Sequence, residues 1–88
     1  MTEIEAIRNL VHHYSDRVCQ GDQEGWLDLW TNDGVWEIGR GPAEGLDALQ
    51  EAIHRSMSLF DSVNQMIFNG TAQTNGDEGN GRWYICEF

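Results

Sequence analysis

The sequence predicts an α+β domain, and three patterns carry that expectation. Near the start, Ile4, Ile7, Leu10, Val11, Tyr14 and Val18 recur at helical spacing on one stripe, and Leu46, Leu49, Ala52, Ile53 and Met57 repeat the pattern in the middle. Residues 35–38, 63–74 and 82–88 instead alternate as strands. The last two strand segments are separated only by a polar, glycine-rich stretch at 75–81, which reads as a hairpin connection.

Each element has its own start or stop signal. Thr2 and Glu5 form a T-x-x-E capping box ahead of the first apolar stripe, with Tyr14 at the stripe's centre. Gly21 in "CQGD" ends that helix, and Asp22 can cap a short second one carrying Trp26, Leu29 and Trp30 inward. "NDG" at 32–34 is a turn signal, and the strand 35–38 that follows is stopped by Gly39, Gly41 and Pro42. A third helix spans 46–57, and the strands 63–74 and 82–88 close the order as a meander. Nothing repeats internally and no linker divides the chain, so residues 1–88 read as a single domain.

Composition excludes several classes. An 88-residue chain has a thin core, burying only about 60 to 65% of its extended surface. Fifteen acidic residues against five arginines, with no lysine, give a net charge of −10. That charge repels phosphate backbones and anionic bilayers, so neither nucleic acid nor a membrane is expected as a partner. The absence of lysine removes Schiff-base and P-loop chemistry. No basic segment followed by an apolar one opens the chain, and no apolar run approaches a membrane span, so the expected location is cytoplasmic. Cys19 and Cys86 lie far apart, outside any CxxC spacing; they read as reduced packing thiols, and no metal or cofactor framework is visible.

In order and landmarks the chain resembles the SnoaL-like branch of the nuclear transport factor 2-like superfamily. The carriers are "IRNLVHHYSDRVCQGDQEGWLDLWTNDGVWEI", "EGLDALQEAI" and "NGRWYICEF", which match the tyrosine-bearing first helix, the second helix, the first strand and the later elements in sequence. The resemblance implies a cone: a curved antiparallel sheet packed against three helices, here cut short after the second meander strand. It also implies a pocket at the mouth of the cone, between the first helix and the concave sheet face. Trp30, Trp36, Ile38, Gln65 and Asn69 would line it as ligand-binding residues, with Tyr14 as a hydrogen-bond donor to a substrate oxygen. A phenol with an ordinary pKa near 10 stays protonated at neutral pH, as such a donor must. Tyr14 as a plain core residue, and an aromatic core with no cavity, are the competing readings.

Three of the family's proton-transfer positions are altered. Dehydratase-type members carry an aspartate where this chain has Cys19, isomerase-type members carry one where it has Ile38, and Gln65 replaces the histidine of an H-x-x-x-N pattern whose Asn69 is kept. A glutamine can bond a ligand but cannot shuttle a proton. His13, about 100° from Tyr14 on the helical wheel, is then the candidate base, with Asp16 as its orienter or as a solvated ion-pair partner. His12 faces solvent. The expected function is binding of a small apolar molecule without the usual acid–base groups; the alternative is a cofactor-independent lyase or isomerase using Tyr14 and His13. A homodimer is expected through the outer sheet face, at Met66 and Phe68, with the edge strand between Arg82 and Phe88 paired to the second copy.

Overall fold

The computed structural model of the chain describes residues 2–39 and 41–88. Helix α1, Glu3–Gln20, starts from the predicted capping box: the Glu5 amide donates to Thr2 Oγ1 at 3.1 Å and the Thr2 amide to Glu5 Oε2 at 3.2 Å. Gly21 ends it at φ 70°, a left-handed conformation that glycine adopts without a Cβ penalty. The Gly21 and Asp22 amides then donate to the Val18 and Arg17 carbonyls, closing both orphan acceptors.

Asp22 immediately caps α2, Gln23–Leu27, through the Gly25 amide at 2.9 Å. Beyond Leu27 the chain tightens into turns, with the Leu29 and Trp30 amides reaching back three residues. This short element seats Trp26 at 0% exposure. The Tyr14, Trp30 and Trp36 rings surround it with centroids at 6.0, 5.2 and 4.9 Å, all tilted.

A strand the sequence hides follows. β1, Val35–Ile38, pairs antiparallel with β2, Gly41–Glu44, in the register Val35 opposite Glu44 and Ile38 opposite Gly41. Gly41 and Pro42, expected to end strand structure, instead lie within it; both strands of a two-stranded ribbon are edges, where proline's missing N–H is tolerated. Helix α3, Gly45–Ser58, begins directly after β2 and buries Leu49, Ala52 and Ile53 from the predicted stripe. With Trp26 and Ala43 these form the buried core, which therefore lies among α2, α3 and the ribbon.

The long hairpin is more regular than its composition suggests. β3, Gln65–Asn75, pairs with β4, Glu78–Glu87, and the ladder runs on to Asn64 and Phe88, whose amides and carbonyls exchange bonds at 2.8 and 2.9 Å. The stretch 78–81, expected as loop, is strand paired to 72–75; the turn is only two residues, with Gly76 at φ 64°, the sign required at the first position of a II′ turn. One irregularity interrupts the register. Ile67 faces Ile85 but Gly70 faces Trp83, so β3 carries one extra residue at Phe68–Asn69.

Among the described residues the strands form two separate two-stranded antiparallel sheets, β1–β2 and β3–β4, with three helices against them. This is the expected α+β architecture. Helix α1 lies along the long hairpin and is stitched to its start: Ser15 Oγ donates to the Gln65 carbonyl at 3.0 Å and the Gln65 amide donates to Cys19 Sγ at 3.2 Å. No helix among the described residues is long and apolar enough to cross a membrane.

Candidate functional site

Between α1 and the long hairpin lies a cleft of about 440 Å³. Leu10, Val11 and Tyr14 line it from α1, Leu29 and Trp30 from the segment after α2, Gln65 and Ile67 from β3, and Trp83 and Ile85 from β4. Helix spacing explains the first group and strand alternation the last two. Trp83 holds its position because glycines stand beneath it: a Cβ at Gly70 or Gly81 would run into its indole ring.

The polar content of this apolar cleft is concentrated in a few atoms. Gln65 is 8% exposed, and its Nε2 donates to Glu87 Oε2 at 2.8 Å. Its Oε1 is buried without a partner, as is the indole Nε1 of Trp30. Burial raises the Tyr14 phenol above its ordinary value near 10; the Trp26 N–H opposes this from nearby without reaching hydrogen-bond geometry, and the Glu87 carboxylate adds to it. Tyr14 is thus a protonated phenol at neutral pH. It also borders a second cavity of about 170 Å³ beside Trp36, Met57, Phe60 and Glu87. Tyr14 and the Gln65–Glu87 pair stand between the two spaces.

Of the residues expected at the site, Tyr14, Trp30 and Gln65 converge on the cleft. The other four are placed elsewhere. His13 is exposed and lines neither cavity, because the flank of the α1 stripe turns outward; Asp16, its expected orienter, pairs with Arg17 at 2.9 Å. Trp36 packs on Trp26 and borders only the second cavity, and Ile38 lies over a shallow recess beside Ala43 and Ala48. Both sit on the ribbon, which faces the core and not the cleft. Asn69 is exposed: the extra residue in β3 reverses the alternation after Ile67, so Gly70 takes the inward place that simple counting gives to Asn69. Cys19, at the family's aspartate position, serves the Gln65 backbone.

Sequence reasoning missed Trp83 and Glu87. The signal for Trp83 was available in the glycines at 70 and 81, one across the ladder and one two residues back. Glu87 follows from alternation with Trp83 and Ile85, but its contact with Gln65 depends on a cross-strand register that no local pattern reveals. Among the described residues no group of three or more His, Cys, Asp or Glu side chains could hold a metal ion.

The family model described as the SnoaL-like domain matches residues 1–88. No curated protein sequence matches the chain. Its backbone is similar to an NTF2-like protein of unknown function from Pseudomonas putida KT2440, with a TM-score of 0.87 at 18% identity over 96% of this chain and 61% of that one. It is also similar to a candidate aromatic ring hydroxylase from Novosphingobium aromaticivorans, at 0.85 and 24% over 93% of this chain and 61% of that one. A protein of unknown function with a cystatin-like fold from Nostoc punctiforme gives 0.83 and 22%, over 92% and 62%. At these identities the likeness is one of fold. The chain spans about three fifths of the length of these structures, 61–62%.

Proposed function

The chain belongs to the SnoaL-like family, and on that footing we propose that it binds a small, largely apolar molecule in the cleft between α1 and the long hairpin. The observation that carries this reading is the pairing of an apolar lining with two buried polar atoms that lack partners, Gln65 Oε1 and Trp30 Nε1. Buried polar groups are nearly always satisfied, and a cleft that leaves two open is shaped for a molecule that closes them. Tyr14 adds a protonated hydroxyl on the same wall. Titrating carbonyl compounds into the wild type and Tyr14→Phe tests it: the variant is expected to bind more weakly by roughly 1 to 3 kcal/mol if the phenol donates to the ligand. Equal affinities would leave Tyr14 with packing alone.

A lyase or isomerase is the second reading, and one observation favours it. Glu87, close enough to raise the Tyr14 pKa and bonded to Gln65, supplies a carboxylate where His13 does not reach. Tyr14 would then polarise a substrate carbonyl and Glu87 would take the proton. The same Tyr14→Phe comparison separates the readings, since an enzyme loses turnover of a carbonyl or hydroxyl compound and a binder has none to lose.

The homodimer stands as a proposal of the same kind. Met66, Phe68 and Tyr84 are 45, 53 and 56% exposed on the hairpin face away from α1. A second copy seated there would cover them. Sedimentation at high micromolar concentration is expected to give the dimer mass, and Phe68→Lys the monomer mass.

A further inference from the structure

Resting on the cleft reading above, we propose that the cleft selects an uncharged molecule bearing a hydrogen-bond donor, of the phenol or enol class, and that Glu87 is the positioning residue that imposes this choice. A glutamine amide is nearly symmetric in shape, with a donor at one end and an acceptor at the other. Left to itself it turns over and serves a donor or an acceptor equally well. Gln65 is not free to do so. Its Nε2 lies 2.8 Å from Glu87 Oε2, and a carboxylate only accepts, so the reversed amide would set two acceptors against each other.

The consequence falls on the other end. Oε1 is held away from Glu87, buried and without a partner, on a residue that lines the cleft. Only a donor satisfies it. A ligand hydroxyl would do so, whereas the methyl ether of the same molecule would bury Oε1 unmatched. A ligand carboxylate is excluded twice, by repulsion from Oε1 and by the Glu87 charge behind it, in a chain whose net charge is already −10. Trp30 Nε1 does not discriminate, because hydroxyl and ether oxygens both accept. The body of the ligand is expected to be planar: Trp83, laid over Gly70 and Gly81, gives the cleft one flat aromatic wall.

Calorimetric titration of the full chain with 1-naphthol, 1-methoxynaphthalene and 1-naphthoate tests the proposal. The wild type is expected to prefer naphthol over the ether by about tenfold and to take up no naphthoate. In Glu87→Gln the facing amide can donate or accept, Gln65 regains both orientations, and the naphthol-to-ether ratio is expected to fall close to one while the ether itself binds at least as well as before. Gln65→Met, close in volume and without either amide end, is expected to lose the ratio by a second route. A purely structural role for Glu87 would weaken all probes together and leave the ratio intact. Equal binding of naphthol and ether to the wild type, or a ratio that survives Glu87→Gln, overturns the proposal while leaving the cleft a binding site. Failure of all three probes and of naphthalene to bind removes the cleft reading itself, and the selection with it.

Discussion

Replacing Trp26 by alanine is expected to cost about 3 to 5 kcal/mol, most of the stability of a chain this small. Trp26 is 0% exposed and touches the rings of Tyr14, Trp30 and Trp36, which come from α1, the segment after α2, and β1. Truncation therefore empties the one place where three parts of the fold meet. Each tilted aromatic pair adds roughly 0.5 to 1.5 kcal/mol beyond the area it buries, and the neighbours, themselves large and half-buried, cannot collapse into the space without uncovering the cleft. Urea denaturation followed by circular dichroism should show the midpoint falling sharply, or no cooperative transition at all. Trp26→Phe should be much milder than its lost volume suggests, because it also removes a buried indole N–H that has no partner. A Trp26→Ala midpoint within about 1 kcal/mol of wild type would mean that the aromatic cluster is not what joins these elements.

Much of the fold is legible in the sequence because its helices are locally specified. The capping box at Thr2, the glycine stop at Gly21 and the apolar stripes of α1 and α3 all act within a turn or two of themselves. The strands that reading the sequence misses are those whose residues are chosen by neighbours distant in the chain. Gly41 and Pro42 look like breakers, yet a ribbon with no inner strand accepts them. The stretch 78–81 looks like a loop because it is polar and holds two glycines. Those glycines answer to packing: a side chain at Gly79 would meet Ile7 of α1, and one at Gly81 would meet Trp83. Glycine as a turn former and glycine as a space for something else are indistinguishable until the something else is known.

The site divides in the same way. Tyr14, Trp30 and Gln65 are found from periodicity together with the family's arrangement, since each lies before any irregularity in its element. Asn69 is lost to a single inserted residue, which no alternation count detects and which reverses every later position on β3. Trp36 and Ile38 do face inward, but inward on the ribbon means toward Trp26 and Ala43. His13 was a candidate by elimination, once carboxylates near Tyr14 were thought to be missing. The carboxylate was present at the far end of β4, delivered by the pairing of Gln65 with Glu87.

Gly70→Val is the sharpest test of how the cleft wall is built, because two principles give opposite signs. Gly70 has an ordinary negative φ in the middle of a strand, so a β-branched residue suits its backbone, and strand propensity alone would predict a gain of up to about 1 kcal/mol. Sterics predict a loss, since the first carbon added at Gly70 enters the space of the Trp83 indole, whose far end is already confined by Gly81. The clash is with the body of a rigid ring, which cannot yield by a small rotation as the tip of a flexible side chain would. The ring must leave the cleft wall or the hairpin must bend, and overpacking of this kind costs about 1 to 3 kcal/mol. The loss is therefore expected to win, with a lower melting temperature, a red-shifted tryptophan emission as Trp83 becomes solvated, and weaker binding of a planar ligand such as 1-naphthol. A double-mutant cycle isolates the cause. In a Trp83→Ala background the obstruction is gone, and Gly70→Val is expected to turn neutral or stabilising as the strand preference acts alone. If valine costs as much without the indole as with it, Gly70 is kept for its backbone, and the flat wall of the cleft does not depend on it.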